Sequence, residues 1–185
     1  LLLRQANLDS IVDRIWKTHR HKAKEKILDK MKEILAEEKS DKFVPTMDLM
    51  GEALRLIQML EPNFFDEREN RSLLVKLVNK FSNGSLNSAL SMGRFNIWIN
   101  IDEKQVQKLI ISILTDTSIS ATDRFQAVLG LTWGSQPLDD LMKTNPKIRA
   151  HIRLVLHTMQ AQRPEVLKDL LIGKEWNKQF KRIRP

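Results

Sequence analysis

Apolar residues recur along this chain at intervals of three and four, the spacing that gathers them on one side of an α-helix. Leu8, Ile11, Val12 and Ile15 keep that spacing, and Ile27, Leu28, Met31, Ile34 and Leu35 resume it. Residues 8–39 therefore read as one long amphipathic helix, with Asp9 or Ser10 as its cap. Between the two stripes, residues 17–26 hold a single apolar side chain, Ala23. A helical stretch that is polar on every side does not pack into a core, so it is either a solvated bridge or a surface that meets a partner.

The helical pattern continues past a loop at 40–44. Pro45 suits the first turn of a helix carrying Met50, Leu54, Ile57 and Leu60, which stops before Pro62. A third helix starts near Asn63–Asp66, presents Leu73, Leu74, Leu77, Val78 and Phe81, and ends at Asn83-Gly84. A short helix fits Ser85–Met92. Arg94–Ile101 alternates like a strand, but one strand has no partner here, so the stretch reads as an extended or irregular linker. Asp102 caps a helix bearing Val106, Leu109, Ile110, Ile113 and Leu114. Ser120 and Asp123 resemble a capping box with Asp in place of Glu, opening a helix that runs to Trp133-Gly134. Further helices follow at Pro137–Met142, from Asn145-Pro146 to about Met159, and from Pro164 to Gly173. Trp176, Phe180 and Ile183 give the tail from Lys174 to Pro185 the same spacing. The fold class expected is all-α: a single compact domain of about eight or nine helices. Residues 1–39 form a long N-terminal helix or arm, and residues 45–185 form a helical core with a basic tail. No repeat of fixed period occurs, so a regular solenoid is not expected.

Composition agrees with this picture. A chain of 185 residues suits one domain, and six Gly with six Pro are too few for the many tight turns of a sandwich or barrel. The absence of cysteine excludes disulfides, thiolate zinc sites and a cysteine nucleophile. No apolar run reaches the roughly 18–20 residues needed to span a bilayer, and segment 17–26 lacks the apolar face of an interfacial helix, so no membrane partner is expected. An intracellular location is expected. Residue 1 is leucine rather than methionine, which fits a trimmed or partial chain.

Charge changes the picture most. The net +8 is uneven: residues 14–32 carry eight Lys or Arg against two acids, and residues 143–185 carry eleven against three. The rest of the chain is mildly acidic. Basic segments flanking an acidic middle are the electrostatic footprint of a polyanion binder, whereas ordinary solvation of helix faces is the plainer explanation. After Pro146, Arg149 and Arg153 are four apart and share a helix face, which His157 continues beside the apolar Ile148, Ile152, Val155 and Leu156. Trp176 lies among the lysines of the tail, where a ring can stack on an unpaired base.

Signals for catalysis are few. His19 and His21 are two apart and His151 and His157 six apart, so neither pair makes the i, i+4 clamp of a helical zinc site. The carboxylate pairs Asp66-Glu67, Asp102-Glu103 and Asp139-Asp140 each fall at a predicted helix start, where the dipole favours acids. No phosphate-cradling glycine loop and no Gly-x-Ser-x-Gly occurs. No enzyme activity, cofactor or metal is expected. The expected role is non-enzymatic binding of nucleic acid, RNA or DNA, through phosphate contacts within a larger nucleoprotein assembly, whether viral, transcriptional or RNA-processing. The residues expected to carry it are Lys17, Arg20, Lys22, Lys24 and Lys26, then Lys147, Arg149 and Arg153, then Lys174, Trp176, Lys178, Lys181 and Arg182. The alternative is a protein-interaction or homo-oligomer module meeting an acidic partner. A helical enzyme acting on nucleic acid is the third reading.

Overall fold

The computed structural model describes residues 2–37, 50, 53, 54, 56, 57, 60–81, 103–132 and 135–171. The first helix, α1 (Leu2–Ala36), starts at Leu2 rather than Leu8. Leu2, Leu3, Arg4, Gln5 and Ala6 are all good helix formers, so nothing delays the helix to Asp9 or Ser10, and both lie inside it instead of capping it. The described residues between 50 and 60 are helical, with Met50, Leu54 and Ile57 buried. The helix expected from Asn63 is broken: Phe64–Asp66 form a 3-10 turn, Glu67 is extended, and α2 runs from Arg68 to Phe81. The break is held by Asn70, whose buried amide donates to Phe64 O (3.0 Å) and to the Glu67 carboxylate (3.1 Å). It turns Phe64 and Phe65 inward, edge to face, with ring centroids 5.0 Å apart.

Five more helices follow: α3 (Glu103–Thr115), α4 (Ala121–Leu131), α5 (Ser135–Thr144), α6 (Pro146–Gln162) and α7 (Pro164–Leu171). Seven bounded α-helices thus stand among the described residues, where eight or nine are expected, and no strand is among them. The short helix at Ser85–Met92, the alternating stretch Arg94–Ile101 and the tail from Lys174 lie outside the described residues.

Two of the expected caps are present in atomic detail. Ser120 Oγ accepts from the Asp123 backbone N–H (3.1 Å) and gives its own proton to the Asp123 carboxylate (2.6 Å). Asn145 Oδ1 accepts from the N–H groups of Lys147 (3.0 Å) and Ile148 (3.1 Å), with Pro146 at the first helical position.

Helix α4 is the centre of the packing. Nine of its eleven residues are buried, including Phe125, Val128, Leu129 and Leu131. A helix apolar on nearly all sides must be enclosed, and α2, α3 and α6 pack against it. Helix α1 then packs on α2, and α5 and α7 on α6. From α1, Met31 and Ile34 enter the core completely. Lys80 fastens this outer helix: its ammonium donates to Ile34 O (2.6 Å), Leu35 O (3.0 Å) and Glu37 O, the carbonyls left without helical partners at the end of α1. Asn79 donates to Asp123 O (3.1 Å), joining α2 to the start of α4.

At Gly130 the α2–α4 contact leaves no room for a side chain, because a Cβ built there would lie 2.5 Å from Val78 Cγ1. Alanine is the better helix former by roughly 0.8–1 kcal/mol, but overpacking a filled core costs about 1–3 kcal/mol. Gly130→Ala is therefore expected to lower the unfolding free energy in urea titrations. An unchanged or raised midpoint would show that the helices part without penalty.

Candidate nucleic-acid interface

The basic segment of α1 is solvent-facing. Residues 17–22, Lys-Thr-His-Arg-His-Lys, are exposed on every side of the helix, and Arg14 and Lys26 are exposed on either side of them. No carboxylate occurs from Arg14 to Lys24. Pairs along this helix include His21 Nε2 with Glu25 at 3.4 Å and Lys30 with Glu33 at 3.0 Å. Trp16 is half-buried against the core, an anchor for the helix rather than an open stacking ring.

Lys24 differs from its neighbours. Its side chain is only 25% exposed and forms an ion pair with Glu61, thirty-seven residues away, while its ammonium lies 5.7 Å from the centre of the Phe64 ring. A side chain held by a carboxylate and an aromatic face docks α1 onto the 3-10 turn. Within the polar stretch of α1, this cation is committed to the fold.

On α6 the expected row is present. Lys147, Arg149, Arg153 and His157 are exposed, whereas Ile148, Ile152, Val155, Leu156 and Met159 are buried. Leu154 stands 64% exposed within the same outer arc. The start of α6 is tied to α3 by Asn145 Nδ2, which donates to Gln107 Oε1 (2.7 Å). The two basic groups are not brought together: α1 rests on α2 and α6 on α4, so α2 and α4 stand between them. Lys174, Trp176, Lys178, Lys181 and Arg182 lie outside the described residues, as do Trp98 and Trp133.

Two of the three acidic pairs are engaged by neighbours among the described residues. Asp139 and Asp140 sit in the second turn of α5 rather than at its start, and Lys143 bonds both, at 2.6 and 3.2 Å. Hydrogen bonding to Asp139 first, then to Asp140, raises the Lys143 ammonium above its usual range. Asp66 pairs with Lys108 at 2.5 Å. Asp102 lies outside the described residues. Among those described, no three His, Asp or Glu side chains form a group able to hold a metal ion.

One polar cluster has no counterpart in the sequence reading. Asp116 follows α3 with its side chain 6% exposed and accepts from Arg71 Nε (3.1 Å), Arg71 Nη2 (2.9 Å) and Ser118 Oγ (2.5 Å). Arg71 also reaches Phe65 O and Asp66 O at 3.1 and 3.0 Å. Arg124 is buried in α4 and donates to Leu114 O (2.5 Å), a carbonyl at the end of α3. Arg124 thereby satisfies a carbonyl at the C-terminus of α3, an end that favours cations, while Arg71 ties Asp116 to the 3-10 turn. Burial alone would raise the Asp116 carboxyl; bonds from the Ser118 hydroxyl, Arg71 and the Ser118 amide overcome it and leave the group below its usual range. Burial lowers Arg124, against the pull of the Asp116 charge. A lone arginine one residue before Phe125, in a helix whose buried residues are otherwise apolar apart from Gln126, is the signal for this cluster.

Comparison with family models, with curated proteins and with solved structures gave no match for this chain.

Two stability outcomes separate cations of the fold from cations of the surface. Lys24→Ala is expected to cost roughly 1–2 kcal/mol, because it strands a Glu61 whose Oε2 is already buried without a hydrogen bond. Lys22→Ala at an exposed site should stay within about 0.5 kcal/mol. Equal effects in chemical denaturation would refute the distinction. For Asp116 the folded-state pKa is depressed, so its contribution is complete above the ordinary aspartate range and disappears as pH falls through the lower folded value. Asp116→Asn should remove that acid-side loss and destabilise the protein at neutral pH by about 1–3 kcal/mol. Thermal unfolding across an acid pH series, for both proteins, checks the sign.

Proposed function

We propose that this chain is a non-enzymatic nucleic-acid-binding domain that contacts the phosphate backbone, chiefly through the exposed cations of α1. The observation that carries the reading is the fully exposed turn-and-a-half at residues 17–22, which presents Lys17, Arg20 and Lys22 with no acid between Arg14 and Lys24. Cations along a helix meet phosphates from several sides without reading bases, so this surface supplies affinity rather than sequence preference. Arg14 and Lys26 extend it to about 18 Å of helix axis at about 1.5 Å per residue. Arg149 and Arg153 on α6 form a second, smaller contact for a strand that wraps the body, or for a second strand. Lys24 is removed from the binding set because it holds the fold.

Binding should be steeply salt-dependent. Each phosphate neutralised contributes a slope of about −0.9 on duplex DNA and about −0.7 on single strands. Arg20→Gln/Lys22→Gln/Lys26→Gln is expected to shallow the slope by about two to three units. The matching Lys147→Gln/Arg149→Gln/Arg153→Gln variant reports the contribution of α6. Labelled RNA and DNA, single- and double-stranded, titrated across a salt series provide the measurement. Weak binding that neither variant alters would end this reading and favour an acidic protein as the partner of the same surface.

A further inference from the structure

A groove of about 780 Å³ lies where the end of α1, the outer side of α2 and the 118–120 loop meet. Its floor is aliphatic: Leu35, Leu73 and Ile119 pack against the core on one side and remain half-exposed on the other. Its rim is basic, with exposed Lys32 on α1 and exposed Lys76 on α2. Lys80 adds a third ammonium, already bound to the last carbonyls of α1. Asp123 is the one carboxylate along the groove among its described lining residues. It is engaged by the Ser120 hydroxyl (2.6 Å) and the Asn79 amide (3.2 Å). What the groove offers is apolar area with positive charge above it.

We infer that this groove binds a short amphipathic segment of a partner protein, one that inserts aliphatic side chains between Leu35, Leu73 and Ile119 and sets carboxylates against Lys32 and Lys76. Three features favour a peptide over nucleic acid here. No aromatic ring is among the described residues lining the groove, so a base finds nothing to stack on. The floor rewards burial of apolar groups, which a phosphate backbone lacks. The volume matches a pocket for the two or three anchoring side chains of a helix laid across it, spaced i, i+3, i+4. Both lysines stand on helices that the core fixes, Lys32 beside fully buried Met31 and Lys76 beside buried Val75 and Leu77. The backbone that carries the positive rim is therefore preorganised, and binding has to order only the two lysine side chains. This site is separate from residues 17–22 and does not depend on their partner.

The test uses a fluorescein-labelled synthetic peptide with leucines at i, i+3, i+4 and i+7 and glutamates elsewhere, and a control with lysines replacing the glutamates. Anisotropy titrations should show saturable binding of the acidic peptide to the full chain, and none of the basic one. Lys32→Glu/Lys76→Glu is expected to weaken binding by roughly tenfold or more, since it places like charges across the contact. The charge-matched Arg149→Glu/Arg153→Glu variant should leave it unchanged. Methyl shifts in NMR spectra should concentrate at Leu35, Leu73 and Ile119. Absence of saturation, equal weakening by both reversals, or shifts centred elsewhere would overturn the proposal. Loss of nucleic-acid binding in the α1 variant, with peptide binding intact, would keep the two sites distinct.

Discussion

Everything in this fold answers to the enclosure of α4. Its sequence, Ala-Thr-Asp-Arg-Phe-Gln-Ala-Val-Leu-Gly-Leu, leaves only Thr122 and Asp123 outside the buried set, so no single neighbour can cover it. Three helices must surround it, and the approach of α2 is close enough that only glycine fits opposite Val78. Once α4 is wrapped, the remaining helices can add only to the outside of that shell. The basic surface of α1 belongs to that outer layer, and the one on α6 to the side of α6 turned away from its buried residues.

Enclosure creates a polar problem, and the arginines resolve it. The C-terminus of α3 comes against α4 with carbonyls that lack helical partners. Arg124 is buried to reach one of them, and Arg71 and Asp116 complete a hydrogen-bonded set around that corner. Lys80 performs the same service for α1. These cations belong to the interior of the fold, although nothing in their identity separates them from the surface lysines. Geometry sorts them: Lys24 and Lys22 are two residues apart, yet one is paired to Glu61 and the other faces solvent.

That sorting marks the boundary of what the chain discloses directly. The all-helical character follows from periodicity, and the caps at Ser120 and Asn145 follow from local hydrogen-bonding chemistry, so both were legible. The exposed row Arg149, Arg153 and His157 was legible for the same reason, since helical spacing alone decides which residues share a side. Pairings across long stretches of chain were not. Lys24 meets Glu61 and Arg71 meets Asp116 only because tertiary packing brings their helices together. Lys76 and Lys80 escaped notice because they lie in the region whose charge is negative on average, and an average along the sequence erases a local positive rim. The start of α1 is not marked by a cap, because a run of strong helix formers at Leu2–Ala6 extends the helix past Asp9 and Ser10.

The exposed stretch of α1 also carries a strain of its own. Lys17 and Arg20 are three apart, and Arg20 with Lys24 and Lys22 with Lys26 are four apart, so each pair sets like charges on adjoining turns. Each such pair weakens a helix by about 0.2–0.5 kcal/mol. The segment holds its helical form because the core grips the residues after it, at Met31 and Ile34, and Trp16 rests against the body before it. Anions laid along the helix would cancel the repulsion and stiffen it at the same moment. Under the proposed function, polyanion binding and local helix stability would therefore be coupled, because neutralising these charges removes the repulsion between them.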